Sequence, residues 1–288
     1  MKKIYLFLVL LLCSTILLKA QTSKVYDDLS VKSEILKMDR KFSIYLPSGY
    51  EDSHRSYPVL YLLHGAWDNH LGWLQFGEVQ YIADKAIAEG KATPMIIVMP
   101  DAGSVNMGYF NYIDGTYNYE DFFFKEFIPY IEKNYRCRTE RQYRAISGLS
   151  MGGGGTFYYA IHHPEMFASA CPLSAFLGPL QRSDALRFMG DTTKVSVEKR
   201  NAFYLQHSMD IINNLTEEQL NAVKSVRWFF DCGDDDSLYE ANALIHILFR
   251  KKEIRHEFRM RDGGHRWPYW RDSLPLVLEF ISTGFHQW

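Results

Sequence analysis

Cysteine is scarce in this sequence, and its distribution matches neither a metal site nor a disulfide framework. The chain has four cysteines in 288 residues, without a C-x-x-C pair or a Cys/His spacing typical of zinc. Cys137, Cys171 and Cys232 lie outside the N-terminal apolar run, and three cysteines cannot all pair. We expect buried free thiols, with one bridge between two of them left open for an oxidising compartment.

Basic blocks, internal repeats and low-complexity segments are lacking as well. The formal net charge is −2, with 32 Lys and Arg against 34 Asp and Glu. Nothing in this charge pattern indicates nucleic acid as a partner. Hydrophobic residues make up 47% of the chain and charged residues 23%, which favours one large folded domain over a disordered chain.

The apolar run near the N-terminus is too short to span a membrane. The run IYLFLVLLLCSTILL follows MKK, whereas a span needs about 20 apolar residues. A positive start, an apolar core and a small residue at Ala20 are typical of a secretory signal peptide. We therefore predict a signal in residues 1–20, cleaved after Ala20, and a secreted or periplasmic chain 21–288 without a membrane span. A lipoprotein anchored through Cys13 is disfavoured by the large Leu12 before it.

Beyond this run, short apolar stretches alternate with segments of helix length. Two β-rich runs between Ser30 and Pro47, separated by MDR, predict an antiparallel hairpin. Runs such as YPVLYLLHG, PMIIVMP and YRAISGLS are each followed by a helical pattern, which is typical of strands buried on both faces of a parallel sheet. We predict an α/β fold: a doubly wound, mostly parallel sheet with antiparallel N-terminal strands. The predicted helices cover about residues 79–89, 121–134, 151–162, 197–212 and 216–224, with one ending at 252 and one beginning at 271.

One long segment, Phe176 to Ser225, separates two predicted strands without containing a strand of its own. A segment of this length within a compact domain usually has a function, and it often covers the end of the sheet. We therefore expect residues 176–225 to form a helical cap over the site, with Phe176 close to it.

The loop after one predicted strand carries the motif G-x-S-x-G, as Gly148-Leu149-Ser150-Met151-Gly152. Ligands of open α/β sheets bind outside the carboxyl ends of the strands, so this loop lies where chemistry is expected. The motif between a strand and a helix is typical of a nucleophile elbow. A phosphate-binding loop is disfavoured, because no lysine follows the glycines. We predict Ser150 as a nucleophile.

A serine nucleophile needs a base, and the order of the triad in this kind of elbow is Ser, then Asp or Glu, then His. Four histidines follow Ser150 and the acidic stretch near residue 234. His246 lies in a predicted helix, His256 begins a β-run and His286 is close to the chain end. His265 alone follows a strand end, in RDGGHRW, so we predict it as the base.

The stretch DCGDDDS, residues 231–237, carries four carboxylates and is the candidate place for the acid, with a solvated loop and a cation site as the alternatives. A cation site is disfavoured, since the alternation of an EF-hand loop is lacking. Asp231 ends the β-run, and we expect Asp234 and Asp235 to face solvent in the turn. Ser237 begins an S-x-x-E pattern that predicts a capping box, which leaves Asp236 free to orient His265 and stabilise its imidazolium.

The motifs LLHG, MPDA, SGLSMGG, CG-x-x-DSLYE and GGH together resemble the putative-esterase family of α/β-hydrolases. This family includes bacterial feruloyl and acetyl xylan esterases of carbohydrate esterase family 1, and esterase D is related to it. The resemblance runs from about Lys41 to the C-terminus and implies an α/β-hydrolase fold. The family acid lies in a G-x-x-D-S-L stretch, which again selects Asp236, with Asp234 as the runner-up.

The resemblance also implies an oxyanion hole formed by the backbone N–H groups of Ala66 and Met151, without a metal or organic cofactor. Many relatives carry a small residue at the position of Trp67 in this chain. Whether the Trp67 side chain forms a wall of the pocket is open from the sequence. The implied substrates are small-molecule or polysaccharide-linked esters, chiefly feruloyl or acetyl groups on plant cell walls. The aromatic residues that we expect to bind substrate, with core packing as the alternative, are Trp67, Trp73, Tyr109, Phe176 and Trp267.

Two further functions remain open from the sequence. The first is an acyltransferase of the mycolyltransferase kind, in which a sugar hydroxyl replaces water. The second is a noncatalytic binding module, which an intact Ser, Asp and His in the right order disfavours. A cytosolic S-formylglutathione hydrolase is disfavoured by the predicted signal peptide, and the sequence carries no signal for an oligomeric state.

Overall fold

The computed structural model describes residues 22–103, 108–178, 195–207 and 209–286. The predicted signal peptide, residues 1–20, lies outside the described residues, as does part of the predicted cap, residues 179–194. Within the described residues, no helix combines the length and apolar character that crossing a membrane requires.

In the described parts of the chain, eight strands form one sheet in the order β1-β2-β4-β3-β5-β6-β7-β8. Strands β1 and β2, and strands β2 and β4, pair antiparallel, and all other neighbours pair parallel. The prediction of a mostly parallel sheet with an antiparallel start is confirmed. The strands are β1 Lys24–Ser33, β2 Met38–Leu46, β3 Val59–Leu63, β4 Ile96–Pro100, β5 Arg144–Leu149, β6 Ser169–Leu173, β7 Arg227–Gly233 and β8 His256–Arg261.

Helices cover both faces of this sheet. They are α1 Gly72–Gln75, α2 Val79–Ala88, α3 Tyr119–Phe122, α4 Ile128–Asn134, α5 Met151–His162, α6 Val197–Gln206, α7 Ile211–Asn214, α8 Glu217–Lys224, α9 Tyr239–Lys251 and α10 Trp267–Phe285. A π-helical turn, Phe123–Phe127, joins α3 to α4, and a 3-10 turn, Arg141–Tyr143, precedes β5.

The two faces of the sheet belong to separate apolar clusters. Leu60 and Leu62 of β3 pack in the cluster that includes α2 and α10. Tyr61 and Leu63 of the same strand point the other way, into the cluster with α4, α5 and α9. Alternate residues of one strand are thus both buried, which is the physical basis of the continuous apolar runs in the sequence.

The turn of the N-terminal hairpin was predicted in the wrong place. Residues 34–37 form the turn, whereas the MDR segment, Met38 to Arg40, already belongs to β2 and pairs with β1. The carboxylate of Glu126 accepts hydrogen bonds from the N–H groups of Glu34 and Ile35, at 3.0 and 3.1 Å. A partner more than 90 residues away along the chain fixes this turn, and no local pattern could indicate it.

Two helix predictions need similar correction. Helix α10 begins at Trp267 instead of near residue 271, because Pro268 lies in its first turn, where a missing N–H is tolerated. The helix expected over residues 197–212 is divided into α6 and α7. Within the described residues Cys137, Cys171 and Cys232 are free thiols; Cys171 and Cys232 are buried, as expected, whereas Cys137 is only partly buried.

Candidate active site

The loops that follow the parallel strands meet at one edge of the sheet, and Ser150 lies there between β5 and α5. Its backbone has φ +55° and ψ −117°, a strained conformation for a residue with a side chain. A Cβ on Gly148 would come within 2.5 Å of the Gly152 carbonyl oxygen, and a Cβ on Gly152 within 2.5 Å of the His64 carbonyl oxygen. The two glycines of the motif therefore let strand and helix pass close enough to hold this turn.

The structure brings Ser150, His265 and Asp236 into one hydrogen-bond chain. His265 Nε2 lies 2.9 Å from Ser150 Oγ. On the other side of the ring, Nδ1 lies 3.0 and 2.9 Å from the two carboxylate oxygens of Asp236. A proton on Nδ1 donated to the carboxylate leaves Nε2 free to accept from the serine hydroxyl. This tautomer is the one that a serine nucleophile requires.

The Asp236 carboxylate is buried, yet its surroundings favour the charged form. Burial alone would raise the pKa of Asp236, but hydrogen bonds from His265, the Leu238 N–H and Ser174 outweigh burial and lower the pKa. The Leu238 N–H donates to Oδ1 at 2.8 Å. Asp236 is therefore ionised at neutral pH without help from solvent.

The capping box predicted at Ser237 is wrong. Helix α9 begins at Tyr239, its N-cap residue is Leu238, and no side chain among the described residues caps it. The backbone of Leu238 donates instead to Asp236, so the acid itself holds the turn that precedes the helix. Ser237 is exposed. A capping box does occur, at Thr216 and Gln219 of α8.

The other carboxylates of the stretch separate into two groups. Asp234 and Asp235 are exposed, as expected, and their oxygens lie within 4.8 Å of those of Asp262, a proximity that sequence spacing did not reveal. Asp231 does not end the β-run, because β7 continues to Gly233. Its side chain is buried and pairs with Arg261 at 2.6 Å.

The loop after β3 lies directly against the serine. A Cβ on Gly65 would be 3.5 Å from Ser150 Cβ. The next residue, Ala66, lines the cavity above the serine, and Met151 is the first residue of α5, where N–H groups have no intrahelical acceptor. No acceptor for either N–H group occurs in the parts of the chain that the structure describes.

His64 orients this loop, a role that sequence reasoning missed although the residue belongs to the LLHG motif. Its Nε2 accepts from the Ala102 N–H at 3.0 Å, so the proton lies on Nδ1, which donates to the Gly65 carbonyl oxygen at 2.7 Å. Because a trans peptide is planar with C=O and N–H opposed, this bond turns the Ala66 N–H to the side away from His64.

A cavity of about 340 Å³ opens above Ser150. Its lining residues are Gly65, Ala66, Trp67, Asp68, Leu149, Ser150, His265, Trp267 and Trp270. Trp67 is 85% exposed and has a left-handed backbone, φ +67°, so its indole stands at the rim. Trp270 escaped sequence reasoning; its ring meets that of His265 edge-on at 4.9 Å.

Three of the aromatic residues expected to bind substrate are not among the residues that line this cavity. Trp73 is buried beneath Trp267 and donates to the Leu63 carbonyl oxygen at 2.9 Å. Tyr109 is buried and donates to the His64 carbonyl oxygen at 3.1 Å. Phe176 meets the site through its backbone, since its N–H donates to the Ser150 carbonyl oxygen at 2.9 Å. Trp73 and Tyr109 thus support the walls of the cavity.

The described helices of the predicted cap pack at the far end of α5. His207 follows α6 and packs against Tyr158 and Phe110, and the Gln206 carbonyl oxygen is 3.1 Å from His162 Nε2. His162 ends α5, about 16 Å along the helix from the serine end. The cap over the site stays a prediction, since residues 179–194 lie outside the described parts.

Comparisons with known proteins agree with this geometry. Residues 33–281 match the family model described as Putative esterase. The chain is 39% identical over 132 residues to an endo-1,4-beta-xylanase/feruloyl esterase of Xylanibacter ruminicola, covering 43% of this chain and 18% of that protein. It is 38% identical over 140 residues to an esterase of Mycobacterium tuberculosis, covering 48% and 28%. The chain therefore spans under a third of the length of these curated relatives.

A solved structure of a ferulic acid esterase is similar over nearly the whole domain. It shares 36% identity with this chain, with a TM-score of 0.82, and the match covers 91% of this chain and 99% of that one. This likeness confirms the predicted α/β-hydrolase fold.

Proposed function

Because the chain belongs to the Putative esterase family, we propose that it is a serine carboxylic ester hydrolase that acts through Ser150, His265 and Asp236. The observation that supports this proposal most strongly is the continuous hydrogen-bond chain from the buried Asp236 carboxylate through His265 to Ser150 Oγ. It ends at a strained serine that faces an open cavity.

The first half of the reaction forms an acyl-enzyme. Ser150 Oγ attacks the ester carbonyl carbon while its proton passes to His265 Nε2, and the ionised Asp236 stabilises the resulting imidazolium. The N–H groups of Ala66 and Met151 stabilise the oxyanion of the tetrahedral intermediate, the kind of interaction that usually supplies the largest catalytic effect. The intermediate collapses when His265 returns the proton to the alcohol oxygen, which leaves.

The second half releases the acid. Water enters where the alcohol left, and His265 Nε2 takes its proton as the oxygen attacks the acyl carbon. Collapse of the second tetrahedral intermediate breaks the bond to Ser150 Oγ, which regains its proton from His265. In the free enzyme His265 already lies 2.9 Å from Ser150 Oγ and 2.9 to 3.0 Å from the carboxylate oxygens of Asp236.

For the substrate, we propose feruloyl or acetyl esters of plant cell-wall polysaccharide. The aromatic rim of the cavity, with Trp67, Trp267 and Trp270, fits a flat acyl group or a sugar ring. The similarity to a ferulic acid esterase points the same way. Secretion of the enzyme is part of the proposal and rests on the pattern of residues 1–20.

The decisive experiment compares the wild type with Ser150→Ala on methyl ferulate, acetylated xylan, p-nitrophenyl acetate and p-nitrophenyl butyrate. We expect Ser150→Ala to lower kcat by about 10⁴ to 10⁶ with the fold intact, because members of a triad act as a unit. Ser237→Ala is the matched control, since this serine is exposed and caps no helix. It should leave kcat at the wild-type level.

A serine-directed phosphonate followed by mass spectrometry locates the nucleophile directly. We expect one adduct, on Ser150, and an adduct on another residue would end the assignment. Addition of trehalose to the assay tests the acyltransferase alternative. If acyl transfer exceeds hydrolysis, the protein is an acyltransferase that uses the same three residues, and the proposed hydrolase function is wrong.

A further inference from the structure

One buried carboxylate of the acidic stretch takes no part in the hydrogen-bond chain to Ser150. Asp231 lies within β7, and its side chain is 0% exposed. A buried charge is costly unless it is paired and hydrogen-bonded. Asp231 therefore needs partners, and these partners show which part of the molecule its carboxylate holds in place.

Both partners flank the loop that carries His265. Arg261, the last residue of β8, reaches Asp231 through Nη2 at 2.6 Å and Nε at 3.3 Å. The hydroxyl of Tyr269, in the first turn of α10, donates at 2.5 Å to Asp231 Oδ1, the oxygen that Arg261 Nε also contacts. Residues 262–266 run between these two anchors. A single carboxylate thus ties down both ends of the loop that presents His265.

The middle of the loop is held by Tyr269 and by the two exposed aspartates of the acidic stretch. Gly263 has φ +138°, and a Cβ there would come within 2.6 Å of the Tyr269 ring, so the ring lies against its backbone. Gly263 also donates to the Asp234 carboxylate at 3.1 Å and accepts from the Asp235 N–H at 3.0 Å. The guanidinium of Arg261 lies 4.5 Å from the centre of the Tyr269 ring. The loop therefore has little freedom to move once Asp231 holds its ends.

We propose that Asp231 is a positioning residue, which fixes the His265 loop through Arg261 and Tyr269 so that the imidazole meets Ser150 and Asp236. The inference rests on the proposed hydrolase function. His265 must lie within hydrogen-bond reach of both partners at once, and a displacement of about 1 Å can lower a rate by about 10². The competing interpretation is a buried ion pair that contributes only to stability.

The first variant is Asp231→Asn, which keeps the shape of the side chain and removes its charge. The amide places an N–H₂ among the donors of Arg261 and Tyr269, so the anchors no longer converge. We expect kcat to fall by about 10² with KM changed less than about twofold, because the histidine moves while the cavity stays. Tyr269→Phe removes one donor and keeps the ring against Gly263, and it should lower kcat by about tenfold.

A second buried ion pair provides a matched control. Arg144 Nη2 lies 2.6 Å from Glu132 Oε1, with both side chains largely buried. Arg144 begins β5, whereas Ser150 follows the end of that strand, so this pair lies at the opposite edge of the sheet. Glu132→Gln should lower Tm about as much as Asp231→Asn and leave kcat unchanged. The contrast separates loss of stability from loss of position.

A proton NMR measurement makes the test independent of the ester chosen. The Nδ1 proton that His265 donates to Asp236 should resonate far downfield in the wild type, and should move upfield or broaden in Asp231→Asn and Tyr269→Phe. It should stay unchanged in Glu132→Gln. If the wild type hydrolyses no ester of the panel, the proposed function fails, and this resonance still decides the position of His265.

The inference is overturned if Asp231→Asn and Tyr269→Phe lower Tm like Glu132→Gln but keep the wild-type kcat and the wild-type histidine resonance. Should Asp231→Asn fail to fold, Tyr269→Phe decides alone, since it leaves the ion pair with Arg261 in place.

Discussion

Replacement of Asp236 by asparagine tests the assignment of the acid most sharply. Oδ1 of Asp236 accepts from the Leu238 N–H at 2.8 Å and from His265 Nδ1 at 3.0 Å, while Oδ2 accepts from the same Nδ1 at 2.9 Å. Asparagine offers one oxygen for these donors. If that oxygen keeps the Leu238 bond, the amide N–H₂ replaces Oδ2 and faces the imidazole.

An N–H₂ group at this distance needs a lone pair on Nδ1, so it favours the tautomer with the proton on Nε2. In that tautomer His265 cannot accept the proton of Ser150. We expect Asp236→Asn to lower kcat by about 10⁴ near neutral pH, the effect known for the wrong tautomer in a serine triad. Asp234→Asn and Asp235→Asn should cost far less, because both side chains are exposed and solvent screens their charge, and the asparagine oxygen at position 234 can still accept from the Gly263 N–H.

The assay is kcat on one ester from pH 5 to 9 for the three single mutants, with folding checked by circular dichroism. The pKa of Asp236 lies below its ordinary value, so this carboxylate stays ionised over the whole range and adds no pH dependence of its own in the wild type. A crippled Asp234→Asn beside an active Asp236→Asn would refute the reasoning and move the acid two residues earlier.

Two further predictions concern the cavity rim and the far end of α5. Trp67→Gly should have a higher Tm than Trp67→Ala, because a left-handed backbone costs a residue with a Cβ about 1 kcal/mol. Equal Tm values would show that the backbone at this position is not strained. Both variants should lose the preference for methyl ferulate over p-nitrophenyl acetate. Burial alone would lower the pKa of His162, but its hydrogen bond to Glu120 at 2.9 Å raises the pKa. The stability from this pair is therefore complete below the ordinary pKa of histidine and is lost as pH rises through the raised value. In the wild type, Tm should therefore decline as pH rises through this range, and Glu120→Gln should abolish the decline. If Tm still declines in Glu120→Gln, a group other than the pair of His162 and Glu120 causes it.

The sequence located Ser150 and His265 because their signals are local. The elbow motif describes a turn that only small neighbours permit, and the two glycines before His265 mark a loop after a strand. The structure places both residues in contact. The choice of Asp236 coincides with the observed contact, although the capping box at Ser237 that supported it is wrong. Asp236 bonds to the Leu238 N–H and to His265 together, a double role that helix-start patterns do not show.

The remaining features depend on partners far away in the chain. Trp67 and Trp73 look alike in sequence, yet the first is 85% exposed and the second 1%, because Trp73 packs beneath Trp267. Trp270 escaped notice because the start of α10 was placed four residues too late. Its spacing of three residues from Trp267 on one helix is the signal that could have revealed it.

Four carboxylates lie between the last residues of β7 and the turn that follows it, and the contacts of the loops after β7 and β8 explain why they occur together. Two of them, Asp231 and Asp236, are buried, and each meets a cationic or donor group beside or within the loop after β8, namely Arg261 and His265. Asp234 and Asp235 are exposed, and the Asp234 carboxylate also accepts from the Gly263 N–H in the loop after β8. Acid and base are therefore built as one unit from β7 and β8, whereas Ser150 is held by close glycine contacts between β3, β5 and α5. The two units meet at the 2.9 Å contact between His265 and Ser150, so a change that loosens the first should disturb proton transfer while the serine elbow keeps its shape.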